Sequence, residues 1–174
     1  MPDRRPTPDE YAPHQEQYVS LIQQPVLDVL RAQRDDLRRL TEIAEERAGF
    51  RYAPGKWTIR ECIGHMSDAE RIQAFRGLSI ARGDTNDLPR WDPDRYAEAS
   101  GSDSRTIGSL VDEMLLVREA TLSLFERLPR EAWSRLGSVG GKPLTVRATA
   151  YIAAGHAQRH LVVLYERYGV ELPL

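Results

Sequence analysis

The chain has 174 residues, 41% hydrophobic and 29% charged, with a formal net charge of −2; this describes one globular domain able to bury its own core. Charges of both signs are interspersed and no basic stripe stands out, which excludes an electrostatic nucleic-acid binder, and no apolar run is long enough for a membrane span. The single cysteine, Cys62, rules out an internal disulfide, and with no charged-then-apolar leader the expected location is cytoplasmic.

Residues 1–17 carry several prolines and no hydrophobic period. They read as an extended N-terminal arm, ahead of a single domain over residues 18–174. His14, in this arm, reads as a solvated loop residue. From Val26 to Ala44 the set Val26, Val29, Leu30, Leu37, Leu40 and Ile43 keeps helical spacing, with Pro25 in the first turn.

Pro54-Gly55 marks a turn. Thr58 with Glu61 three residues later forms a capping box, with Trp57 at the staple position facing Cys62, so a helix is expected over 59–81. Ile59, Cys62, Met66, Ala69 and Gln73 define its inward stripe, with His65 and Glu70 on the two margins. Residues 82–103 hold two prolines, two glycines and many aspartates. A connection of this length is usually functional or a crossover, and lets the second and third helices of a four-helix bundle run in the same direction. Its Trp91 and Tyr96 are expected to roof a pocket.

The third long helix is expected over 106–128, with Arg118 in the middle of its apolar face, and Pro129 closes it. A short turn of helix at Glu131–Trp133 and a small hairpin around Ser138–Pro143 follow. Thr145 then caps a fourth helix that Gly169 ends. Within it His156 and His160 stand four residues apart, so both imidazoles point the same way. Val146, Ala153, Ala157 and Leu164 share that side, so the rings face the interior, where polar groups need partners or a metal.

Of the four histidines, His65 also sits beside an inward stripe. Neutral imidazole suits zinc and nickel, and also iron or manganese. Three protein ligands, His65, His156 and His160, leave a position for water or substrate. The bland alternative is a set of core or surface histidines. Cys62 points about 60° from His65 on the helical wheel and reads as core filling. Glu70 and Arg118, each within the apolar side of its helix, are expected to pair as a buried ion pair that fixes register. The alternative makes Glu70 a general base or, with Asp68, a hydrogen-bond partner of a ligand histidine. Arg159 faces outward. No phosphate-cradling Gly-rich motif, nucleophile elbow or zinc-protease HExxH is present.

Tyr52-Ala-Pro-Gly-Lys-Trp57-Thr-Ile, His65-Met-Ser-Asp68-Ala-Glu70 and His156-Ala-Gln-Arg-His160, in that order, resemble the DinB/YfiT-like superfamily of metal-dependent hydrolases over residues 20–170. The resemblance implies an all-α four-helix bundle of up-down-down-up topology with a long connection between helices 2 and 3, often a homodimer. It also implies a zinc or nickel ion on His65, His156 and His160. Such families include S-transferases and isomerases that use bacillithiol or mycothiol. The expected partner is therefore a small-molecule substrate, with a low-molecular-weight thiol as one candidate. Expected chemistry is metal-dependent hydrolysis or thiol transfer; a non-catalytic, stress-related metal- or ligand-binding bundle is the alternative.

Overall fold

The computed structural model describes residues 4–171. Four long helices form its frame: α2 (Val26–Arg39), α3 (Ile59–Ala81), α5 (Ile107–Glu126) and α6 (Val146–Tyr168). Two short ones, α1 (Glu16–Val19) and α4 (Pro93–Ala99), lie in the N-terminal segment and in the α3–α5 connection. Both α2 and α3 pack against α5 and against α6.

Caps set the ends of the helices that carry the site. The Thr58 hydroxyl accepts the Glu61 N–H at 3.0 Å while the Glu61 carboxylate accepts the Thr58 N–H at 2.7 Å, which closes the capping box at the start of α3. Thr145 Oγ1 accepts the Ala148 N–H at 3.1 Å, and Gly169, at φ 62°, terminates α6 in the left-handed region. Helix α2 ends five residues before the expected Ala44: the chain tightens into a 3-10 turn at Leu40–Glu42 and becomes extended at Ile43. That exit carries Glu45 to the start of α5, where it accepts the Ile107 N–H at 2.6 Å and pairs with Arg60 at 2.8 Å. Glu45 thereby satisfies one of the backbone donors that the first turn of α5 leaves without an intrahelical partner.

A three-stranded sheet joins the helices, in the order β1 (Asp87–Leu88), β2 (Leu136–Val139), β3 (Lys142–Thr145). Strands β2 and β3 form the expected hairpin, whose Gly140 and Gly141 both take positive φ, as the tight turn demands. Strand β1 pairs in parallel with β2, Asp87 opposite Ser138 and Leu88 opposite Val139. The α3–α5 connection is thus a structured segment pinned to the hairpin.

The N-terminal residues, read from the sequence as extended, wind into single 3-10 turns at Pro8–Glu10 and Pro13–Gln15 before α1. The buried Glu10 carboxylate accepts Arg147 Nη1 at 2.9 Å and the Thr145 hydroxyl at 2.8 Å, which straps this segment to the start of α6. Further on, a Cβ on Gly155 would strike the Tyr18 carbonyl, so glycine lets the strap cross α6 in direct contact.

The core lies in two apolar clusters, one around Leu30, Phe125, Trp133 and Tyr151 and the other around Leu37, Met66, Met114 and Leu161. Between them, along each long helix, sits a polar layer. Arg118 donates to both Glu70 oxygens at 2.7 Å and through Nη1 to the Leu30 carbonyl and Gln33 Oε1, each at 3.0 Å. Gln33 Nε2 in turn donates to the Ala154 carbonyl at 2.9 Å. All four long helices therefore contribute to one fully bonded level.

Candidate metal centre

Helix spacing puts His156 and His160 on one face of α6, and the α3–α6 packing brings His65 up to them. The three can offer nitrogen atoms that lie within 4.8 Å of one another, and His65 Nε2 stands 3.0 Å from His156 Nε2. His65 is buried, whereas His156 and His160 keep partial exposure to a cavity of about 550 Å³ that all three line. Burial pushes the His65 pKa down to about 3, with the charge on His160 adding to it. It pushes His160 down to about 4, helped by Arg159. His156 falls well below its ordinary value, from burial first and then from both neighbouring histidines. All three rings are neutral at pH 7, with lone pairs free to bind a cation. Neutral imidazoles converging in this way, with His65 Nδ1 buried and lacking a hydrogen-bond partner, fit a divalent ion better than they fit a set of core histidines.

Aromatic rings hold the histidines in place. The Trp57 and Trp91 indoles pack on His65 at centroid distances of 4.4 and 5.5 Å, Trp91 nearly parallel at 11°, and Tyr18 packs on His156 at 5.4 Å. Cys62 Sγ lies 3.4 Å from His160 Nδ1, and burial raises its thiol to about 12. It touches a candidate ligand ring but does not join the three-nitrogen group.

Other residues singled out from the sequence lie elsewhere. Glu70 does not line the cavity; its two carboxylate oxygens each accept an N–H of Arg118 at 2.7 Å, in the ion pair expected from the sequence. Asp68 lies 3.6 Å from Arg71, which also pairs with Glu113, and it too is off the cavity wall. Trp91 lines the cavity as expected, but Tyr96 does not: its ring packs edge-on against Trp91 and is about half exposed. His14 is exposed, yet it lines the cavity mouth.

Sequence reasoning missed several wall residues. Trp57, read as a helix staple, and Tyr18, read as the start of the domain, gave no signal because their contacts cross between distant segments. Gln73 and Arg76 were findable: on α3, His65, Ala69, Gln73 and Arg76 follow one another at helical spacing and all line the cavity.

Residues 29–164 match the family model of the DinB superfamily. The fold is similar to YfiT from Bacillus subtilis, described as a probable metal-dependent hydrolase with an unusual four-helix bundle topology. That likeness has a TM-score of 0.72 at 15% identity and covers 97% of this chain and 95% of that one. It is also similar to the mycothiol-dependent maleylpyruvate isomerase, with a TM-score of 0.66 at 15% identity over 79% of this chain and 58% of that one. A DinB-like protein from Bacillus subtilis gives a TM-score of 0.58 at 20% identity, covering 86% and 95%. No curated protein matches the sequence.

Proposed function

Given that this chain belongs to the DinB superfamily, we propose that it is a divalent-metal-dependent enzyme whose ion is held by His65, His156 and His160. The convergence of three neutral imidazoles on a cavity of drug-like size carries this reading. Zinc or nickel suits the all-nitrogen donor set best. Bound there, the ion supplies Lewis acidity and a free position for water or a thiol. The chain's own residues do the rest: Trp57 and Trp91 fix the His65 ring, and Tyr18 fixes His156.

The reaction is hydrolysis or thiol transfer on a small molecule. The first is supported by the likeness to YfiT, described as a probable metal-dependent hydrolase, and the use of a thiol by the likeness to an isomerase that depends on mycothiol. The up-down-down-up order belongs to the same reading. It is supported by pairs that advance together on α3 and α5 (Ser67 with Met114, Glu70 with Arg118) and by pairs that run oppositely on α2 and α5 (Arg31 with Glu126, Arg34 with Glu119). We take residues 18–174 as one domain preceded by an N-terminal arm over 1–17, working in the cytoplasm as a homodimer. Exposed Phe75 and Leu78 on α3 offer apolar surface for the second copy. No helix among the described residues is long and apolar enough to cross a membrane.

Elemental analysis of protein purified without an affinity tag should find one divalent ion per chain. His65→Ala, His156→Ala and His160→Ala should each weaken metal binding by more than the roughly 10- to 100-fold that a supporting residue is worth. Turnover of ester, amide and thiol-conjugate panels should disappear in the same variants while they remain folded. Protein that takes up neither zinc nor nickel stoichiometrically sinks the reading, and metal-loaded protein inactive on every panel leaves only a binding module.

A further inference from the structure

The cavity holds a second chemical feature at the end away from the histidines. Arg76 lines it and is 5% exposed. Its Nη2 donates to the Pro89 carbonyl at 2.9 Å, and no carboxylate among the described residues pairs with it. A buried guanidinium normally sits against an acid, because a charge removed from water without one costs several kcal/mol. Among the described residues, Arg76, Arg90 and Lys142 line the cavity and no aspartate or glutamate does. One turn before Arg76, Gln73 is 7% exposed, and its buried Oε1 has no hydrogen-bond partner. Burial with no neighbouring anion to offset it lowers the Arg76 pKa from its ordinary value.

We propose that Arg76 and Gln73 form an anion subsite that takes the carboxylate end of the substrate, with a hydroxyl or amide N–H beside that carboxylate donating to Gln73 Oε1. Four of the five guanidinium N–H groups remain free of Pro89, enough for a two-point grip on a planar oxyanion. Arg90 and Lys142, both exposed at the rim, draw the anion in and do not hold it.

Position sets the size of the ligand. Arg76 follows His65 by eleven residues on the same helical face, a rise of about 16 Å between the two backbones. Part of that is filled by the arginine side chain. A molecule reacting at the histidines and anchored at Arg76 is therefore elongated, with its carboxylate several bonds from its reactive atom. Acetate-sized acids are too short to reach both ends.

This subsite rests on the proposed metal site for its reactive end, and the test separates the two. The probes are ω-mercaptoalkanoates, HS–(CH2)n–COO⁻, with n from 2 to 10, and their methyl esters. Binding is measured by calorimetry on zinc-loaded protein and on protein stripped of metal. The acids should bind more tightly as n grows to the length that spans the cavity, and there outbind their esters by roughly ten- to a hundredfold. Arg76→Gln should collapse that acid-to-ester ratio to near one, and Arg76→Lys should keep part of it. Metal-stripped protein should bind more weakly yet preserve the ratio.

Loss of folding in Arg76→Gln is checked by thermal melting, and the wild-type acid-to-ester comparison stands without that variant. Equal binding of acids and esters to wild type overturns the subsite, as does failure of every acid in the series to bind. A ratio unchanged in Arg76→Gln also overturns it and leaves Arg76 as a brace for the Pro89 carbonyl. If instead the ratio holds but zinc has no effect on affinity, the metal reading fails and the subsite survives.

Discussion

A histidine whose proton affinity is lowered by folding ties stability to pH. In the unfolded chain each of the three titrates near 6.5, while burial holds His65 at about 3 and His160 at about 4 in the native state. Below pH 6.5 the unfolded state therefore binds more protons, and stability falls as the pH drops from about 6.5 towards 4. Above about 7 this contribution is flat. Urea denaturation of metal-free protein at pH 7.5 and 5.0 should show the loss, and His160→Gln should reduce it; an identical drop in the variant contradicts the assignment. Cys62 gives a second expectation at this scale. With its thiol pushed up to about 12 by burial, it should react with a disulfide reagent at pH 8 only on the timescale of unfolding. Rapid labelling of the native protein would refute that. The buried pair of Glu70 and Arg118 gives a third: Glu70→Gln leaves a guanidinium deprived of its charge partner and should cost about 3–5 kcal/mol in denaturant titration. A loss under about 1 kcal/mol would mean that the pair is not buried in solution.

Helix by helix, what the sequence made legible follows from what periodicity records. Spacing fixes which side of a helix turns inward, so the shared face of His156 and His160 and the inward placement of Arg118 could be read directly. Capping chemistry is local, and Thr58, Glu61, Thr145 and Gly169 mark the ends of α3 and α6 where expected. Contacts between segments distant in the chain leave no such trace. A two-residue strand has no alternation, so the parallel pairing of Asp87 and Leu88 with the hairpin was invisible. The early end of α2 depends on Glu45 reaching α5, a partner sixty-two residues away. Gly155 belongs to the same class: inside a helix it looks like a weak point, yet it marks where the Tyr18 carbonyl meets α6. Gly155→Ala should lower stability by about 1–3 kcal/mol, because a backbone atom cannot step aside as a flexible side chain would. Near-neutral behaviour in a thermal melt would show that the strap does not cross there.

Across the molecule, the cavity is assembled from parts far apart in sequence: the strap before α1, the α3 and α6 faces, Trp91 from the connection and the tip of the hairpin. The strap depends on Glu10, whose carboxylate binds Arg147 and Thr145 out of water. Glu10→Ala should destabilise the whole fold by about 3 kcal/mol while leaving metal stoichiometry unchanged, since no histidine is touched. A change in the metal content of the folded variant would instead make the strap part of the ion site. The polar level shared by Gln33, Glu70, Arg118 and the Ala154 carbonyl has a corollary for how such a chain can vary over evolution. His65 precedes Glu70 by five positions and His156 follows Ala154 by two. Adding or deleting one residue inside either interval would swing an imidazole by about 100° around its helix. Those two short stretches are therefore closed to length change, and insertions are confined to the outer ends of the rods and to the links between them.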